Sequence, residues 1–184
     1  MRNRKTQKSG AGFTLIETMI AIVVLAIGVL GLAAMLAGGI AYMNMSQDDF
    51  IAQQKAAEIV ESIYTARNDN SSSWQQICNV GSPLGNNCQF TVGASPLCNA
   101  GADGIVGTQD DNCAQLDYIV LPGPDGKLGT ADDVFMPLSN FTRTVAITAI
   151  PGNTSLRQIT VTINYTSGRF TRQYVLTTNI SQFS

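Results

Sequence analysis

The feature that most constrains this chain is a run of thirty consecutive residues without a charge, from Thr18 to Gln47, made mostly of Ala, Ile, Leu, Val, Met and Gly. About 20 such residues suffice to cross a hydrocarbon core, so the run predicts a membrane-spanning helix. A secretory signal would have a shorter apolar stretch and a small-residue cleavage site after it. Four of the eleven Lys and Arg residues (Arg2, Arg4, Lys5, Lys8) lie in the first eight positions, and no acid precedes Glu17. That asymmetry keeps the N-terminus in the cytoplasm and sends the remainder across the membrane.

Without that basic leader the chain holds 7 basic and 13 acidic residues, a net charge near −6, which argues against nucleic acid as a partner. Histidine is absent, which removes Ser-His-Asp and Cys-His catalysis together with imidazole metal sites. The expectation is a chain that is not an enzyme. Its 184 residues suit one domain with a proper core.

Glu17 stands at the head of the apolar run, where a carboxylate is costly and calls for a partner or for escape to the interface. Its surroundings, Gly12-Phe13-Thr14-Leu15-Ile16-Glu17 after a short basic leader and before the apolar helix, resemble the processing site of type IV prepilins. That resemblance implies that a prepilin peptidase cuts between Gly12 and Phe13, that Phe13 is methylated as the new N-terminus, and that Glu17 is the fifth mature residue. An amine on Phe13 and a carboxylate on Glu17, both poorly solvated in a filament core, would offset each other's desolvation when paired between subunits. Phe13 and Glu17 are therefore expected to be assembly residues. The stretch Phe13 to Met35 further resembles the PilV-type minor pilins, with Ala34 where major pilins commonly carry proline.

From Gln47 to Arg67 the apolar residues fall at Phe50, Ile51, Ala56, Ala57, Ile59, Val60, Ile63 and Tyr64, the spacing of an amphipathic helix. One helix over 13–67 is predicted, roughly 80 Å long, spanning the membrane in its first half and packing on a globular head, 68–184, in its second. Gly28, Gly31, Gly38 and Gly39 suit close helix packing or simply the composition of membrane helices.

In the head, four cysteines at Cys78, Cys88, Cys98 and Cys113 reach an oxidising compartment in even number, which predicts two disulfides. Three pairings are possible, and the local one, Cys78 with Cys88 and Cys98 with Cys113, costs the least loop-closure entropy. A four-thiolate zinc site is the rival, disfavoured by the lack of a C-x-x-C pair. Alternation of apolar and polar residues over 144–149, over 159–165 and again from Phe170 to Thr178, with turns at Pro151-Gly152-Asn153 and Ser167-Gly168, predicts an antiparallel meander within 141–180. The fold expected is α+β: the pilin fold, a long N-terminal helix packed on a C-terminal antiparallel sheet.

Within the disulfide and acidic region, 78–134, lies an internal repeat. Gly101 to Asn112 reads GADGIVGTQDDN and Gly123 to Val134 reads GPDGKLGTADDV, with seven of twelve positions identical at a spacing of twenty-two. Each copy supplies three carboxylates, Asp103, Asp110 and Asp111 in one and Asp125, Asp132 and Asp133 in the other. Calcium takes six to eight oxygen ligands, so the expectation is calcium binding by these loops, with two solvent-exposed Asp-Gly turns as the plainer alternative. The EF-hand spacing is not matched. Tyr118 to Val134 resembles the calcium loop of the major pseudopilins of type II secretion. The Asn-x-Ser/Thr triplets at Asn70, Asn140, Asn153, Asn164 and Asn179 are attributed to composition, and Trp74 and the tyrosines are too scattered for a stacking platform.

The functional expectation is a structural minor subunit of a type IV pilus. Its partners would be other pilin subunits, prepilin peptidase and the inner membrane. It would be single-pass there and then displayed at the cell surface in a filament. A type II secretion pseudopilin and a tip adhesin module are the alternatives.

Overall fold

The computed structural model describes residues 12–183. All of the basic leader expected over 1–12 except Gly12 lies outside the described residues. The chain divides into two compact units, 1–43 and 44–184, with the boundary inside a continuous helix.

That helix, α1, runs from Leu15–Asn68. In the first unit every described residue is exposed, including Leu15, Ile16, Val24, Leu30 and Leu36. This segment is long and apolar enough to cross a membrane. A helix satisfies its backbone N–H and C=O groups within the segment, which is the condition for spanning a membrane.

In the second unit α1 becomes one-sided. It buries Ile51, Ala52, Ala56, Ile59, Ile63 and Ala66 against a sheet. The three alanines leave room for the backbone of the helix to lie close to the strands. Three long strands form the platform: β6 (Phe141–Ile150), β7 (Asn153–Ser167) and β8 (Phe170–Ser181). They are preceded in the chain by β1 (Ser95–Pro96), β2 (Cys98–Asn99), β3 (Asn112–Leu116), β4 (Tyr118–Leu121) and β5 (Val134–Pro137). The main sheet has the order β1-β6-β7-β8, all antiparallel, while β2-β3 and β4-β5 are separate two-stranded ribbons. This is the α+β pilin architecture, with β6 and β7 longer at both ends, and β8 at its C-terminal end, than their alternating cores suggested.

Period-two alternation puts Phe141, Val145 and Ile147 of β6 and Ile159, Val161, Ile163 and Tyr165 of β7 on the face that meets α1. Each such side chain contributes about 1.5–3 kcal/mol on burial. Polar clamps hold the helix to the sheet. Asp49 accepts hydrogen bonds from the Tyr165 hydroxyl and, at 2.8 Å, from Arg172. Burial, reinforced by that neighbouring carboxylate, pushes Tyr165 up to about 12. Tyr64 donates to the carbonyl of Asn179 at 2.6 Å, and Arg67 to that of Ser181 at 2.8 Å.

Two arginines occupy inward positions of the same alternation. Arg157, buried on β7, donates to the carbonyls of Trp74, Ile77 and Leu84 and lies 4.2 Å from the centre of the Trp74 ring. It thereby ties the segment around the Cys78–Cys88 disulfide to the sheet. Arg143, buried on β6, reaches the acidic region described below.

Candidate functional site: the helix N-terminus and the paired acidic loops

Thr14 ends the chain's entry into α1 and caps it. Its hydroxyl accepts the amide of Glu17 at 3.3 Å, and its carbonyl accepts the amides of Glu17 and Thr18. Thr14-Leu15-Ile16-Glu17 is a Thr-x-x-Glu capping box by sequence, and its hydroxyl half is formed. The sequence reading assigned Glu17 to assembly and overlooked this local use, although the spacing announces it. A carboxylate in the first turn also opposes the positive end of the helix dipole. Gly12 and Phe13 precede the helix, and Phe13 is 81% exposed. The Phe13–Glu17 segment is thus accessible and preorganised at a helix start.

In the head, the disulfides join Cys78 to Cys88 and Cys98 to Cys113, and no free cysteine is present among the described residues. The second bond brackets the first acidic loop.

The sequence repeat is also a structural repeat. Gly104 and Gly126 donate to the carbonyls of Gly101 and Gly123. The amides of Ile105 and Lys127 donate to Asp103 and Asp125, both at 2.8 Å. Those of Asp103 and Asp125 donate to Asp110 and Asp132, at 3.2 and 3.3 Å. Those of Gly107 and Gly129 donate to Asp111 and Asp133, at 2.9 and 2.7 Å. Glycine is required where each loop closes, because a Cβ on Gly101 or Gly123 would lie 2.3 or 2.2 Å from the carbonyl oxygen of Asp110 or Asp132.

Each loop has a threonine hydroxyl at its centre. Thr130 Oγ1 lies 2.7 Å from Asp132 Oδ1, 3.2 Å from the Lys127 carbonyl, and 3.5 Å from both Asp125 Oδ1 and Asp133 Oδ1. A hydroxyl donates one proton, so four acceptor oxygens, three of them on carboxylates, share a single donor there. Thr108 Oγ1 likewise lies 2.7 Å from Asp110 Oδ1, 3.1 Å from the Ile105 carbonyl and 3.4 Å from Asp111 Oδ1. Among the described residues no group of three or more His, Cys, Asp or Glu side chains forms a ready metal cage. The carboxylates of each copy converge on a hydroxyl instead, and the two copies remain separate.

Electrostatically the copies differ. In the first, the Arg143 guanidinium pairs with Asp111, and both side chains are nearly inaccessible, 3% and 6% exposed. Burial pushes Asp111 up and Arg143 down, each against the other's charge. Arg143 Nε has no hydrogen-bond partner among the described residues. Burial also pulls Asp110 upward, but the Thr108 hydroxyl and loop amides outweigh it and leave the carboxyl below its usual range. In the second copy, the Thr130 hydroxyl and the Asp125 amide hold Asp132 low, and no cationic side chain lies within ion-pair distance among the described residues.

Comparison with known proteins places one feature. Residues 7–33 match the family model described as the prokaryotic N-terminal methylation motif. No curated protein and no solved structure matches the chain. That motif is consistent with a non-enzymatic structural protein. The methylation motif at one end and the helix-on-sheet head at the other are together consistent with the type IV pilin-like proteins in general.

Proposed function

We propose that the chain is a structural minor subunit of a type IV pilus. Prepilin peptidase would cut it after Gly12, Phe13 would be methylated as the new N-terminus, and α1 would hold the protein in the inner membrane until it enters a surface filament. The observation that carries this reading is the methylation motif leading directly into an exposed, uncharged helical half that no part of its own unit covers. Such a surface is stable only in lipid or against other helices. Glu17 pairs there with the Phe13 amine of a neighbour, which offsets the desolvation of both. N-terminal sequencing of filament-associated protein tests it. Phe13 as first residue is expected, and Met1 would overturn the reading. Gly12→Val is expected to leave uncut precursor. Glu17→Ala is expected to be cut and inserted yet to enter filaments poorly, because the neighbouring amine is left buried and unpaired.

Calcium belongs to the same reading, at the second loop. Asp125, Asp132, Asp133 and the Lys127 carbonyl would hold it, and the ion would supply the positive charge that these oxygens lack. Those four oxygens lie 2.7–3.5 Å from Thr130 Oγ1, and they would have to draw in to the roughly 2.4 Å that calcium takes. In the first loop Arg143 already supplies a positive charge to Asp111, so Asp103, Asp110 and Asp111 are the weaker candidates. The acidic loop also favours a second reading, a pseudopilin of type II secretion. Loss of secretion without loss of pili in a deletion strain would select it.

A further inference from the structure

Two features of the head lack partners within it, and they are opposite in charge. One is the turn between β7 and β8. Ser167 is buried at its base, Gly168 turns the backbone at φ +61, and Arg169 and Phe170 stand in solvent, Phe170 being 63% exposed. Arg169 has no hydrogen bond and no carboxylate at ion-pair distance among the described residues. An exposed Arg-Phe pair at a hairpin tip is a charged and apolar knob.

The other is a groove of about 870 Å³ between the second half of α1 and the segment around residues 98–119. Its size is that of sites which take whole side chains or small ligands. Five carboxylates line it against one cation, Lys55, which is already bound by Glu58 at 2.8 Å and Asp117 at 2.6 Å. Asp69 accepts from Ser71, and Asp103 from the amide of Ile105. Glu61 alone has no partner among the described residues, while Val106 and Ile119 give the groove an apolar lining beside it.

The knob cannot fill the groove of its own chain. Arg172, three residues beyond Arg169, is fixed to Asp49 at 2.8 Å, whereas α1 lines the groove from Gln54 to Ala66, and Glu61 in it is twelve helical residues or about 18 Å beyond Asp49.

We propose that the Arg169–Phe170 turn of one copy docks in the acidic groove of a second copy of this chain, the guanidinium on Glu61 and the ring against Val106 and Ile119. Knob and groove are different surfaces, so the contact is heterologous and repeats along an open helical array instead of closing a dimer. The two copies lie parallel and are displaced along α1 by roughly the separation of turn and groove. The inference rests on the filament reading and deepens it by naming one neighbour: where two copies of this subunit adjoin, the turn of one meets the groove of the other.

The test uses the full chain in its host membrane, with two differently tagged copies, one Phe170→Cys and the other Val106→Cys. A thiol-specific bifunctional cross-linker reports only the introduced thiols, because the four natural cysteines are paired. The mixed pair is expected to cross-link, and two Phe170→Cys copies are not. Arg169→Glu should lower the yield about fivefold, the scale of one exposed ion pair, and Arg169→Glu with Glu61→Arg should restore it. Cross-linking between two Phe170→Cys copies, or a mixed yield indifferent to charge reversal and rescue, overturns the proposal. N-terminal sequencing of the same sample separates it from the filament reading. Protein cut at Phe13 without the mixed cross-link sinks the docking alone, and uncut protein with a rescuable cross-link sinks only the filament.

Discussion

The loops at 101–112 and 123–134 share a backbone, a hydrogen-bond scheme and a central threonine, yet they belong to different environments. In the first, Ile105 and Thr108 are both 2% exposed, a Cβ on Gly107 would meet Val145 of β6 at 3.1 Å, a disulfide brackets the ends, and Arg143 answers the charge. In the second, Lys127 takes the place of Ile105, Leu128 is 63% exposed, the space around Gly129 is open, and only the short β4-β5 ribbon brackets the ends. One loop motif thus serves as a part of the core in one place and as a free surface element in the other. Local hydrogen bonds set the shape of both, and what packs against them sets their stability.

The largest test of that contrast is Arg143→Ala. It leaves Asp111 buried without its counter-charge, and a loss of about 3–5 kcal/mol is expected. Urea unfolding of the detergent-solubilised full chain, followed by the fluorescence of Trp74, its one tryptophan, measures it. A loss below about 1 kcal/mol would mean that the first loop does not depend on the guanidinium.

Next in size are the closing glycines. Gly101→Ala and Gly123→Ala create nearly the same clash, with a carbonyl at 2.3 or 2.2 Å. The first is expected to cost about 1–3 kcal/mol, because its surroundings are packed. The second should cost less, because its loop can shift into solvent. Equal losses would show that the loops are held equally well and would erase the comparison.

Calcium should then act on one loop only. With the ion, the melting temperature of the full chain is expected to rise by a few degrees over that in chelator. Asp132→Asn should abolish the rise and Asp110→Asn should keep it. Abolition by Asp110→Asn alone would put the ion in the first loop.

Much of this was legible in the sequence, for identifiable reasons. The apolar run, the amphipathic continuation and the strand alternation are periodic signals, and periodicity maps directly onto helix and sheet. The repeat was legible because glycines and aspartates dictate turn geometry locally. What decides between the two loops was not legible from either repeat, since it lies in Val145 and Arg143, more than thirty residues beyond the first loop. A signal for it existed: Arg143 falls in phase with Phe141 and Val145, and Arg157 with Ile159 and Val161, so each charge sits at an inward position. A cation at an apolar position of a strand marks a buried partner. Short strands such as β1 and β2 carry no period to read.

Acid offers the smallest and most local test. Asp132 is held below its usual range by Thr130 and the Asp125 amide, so its contribution is full above the unfolded carboxyl's value and is lost as pH falls through the lower folded one. Asp110 has the same sign in the first loop. Asp111 has the opposite sign: burial raises it, so its contribution is present below the unfolded value and is lost as pH rises through the folded one. Acidification therefore relieves Asp111 before it begins to weaken Asp110, whereas the second loop has no such offset. Hydrogen exchange of the Asp103 and Asp125 amides, which donate to Asp110 and Asp132, reads the two loops separately. Protection at Asp125 is expected to fall first as pH drops below the ordinary carboxyl range. Loss at Asp103 before Asp125 would mean that the buried ion pair weakens the first loop more than its packing secures it.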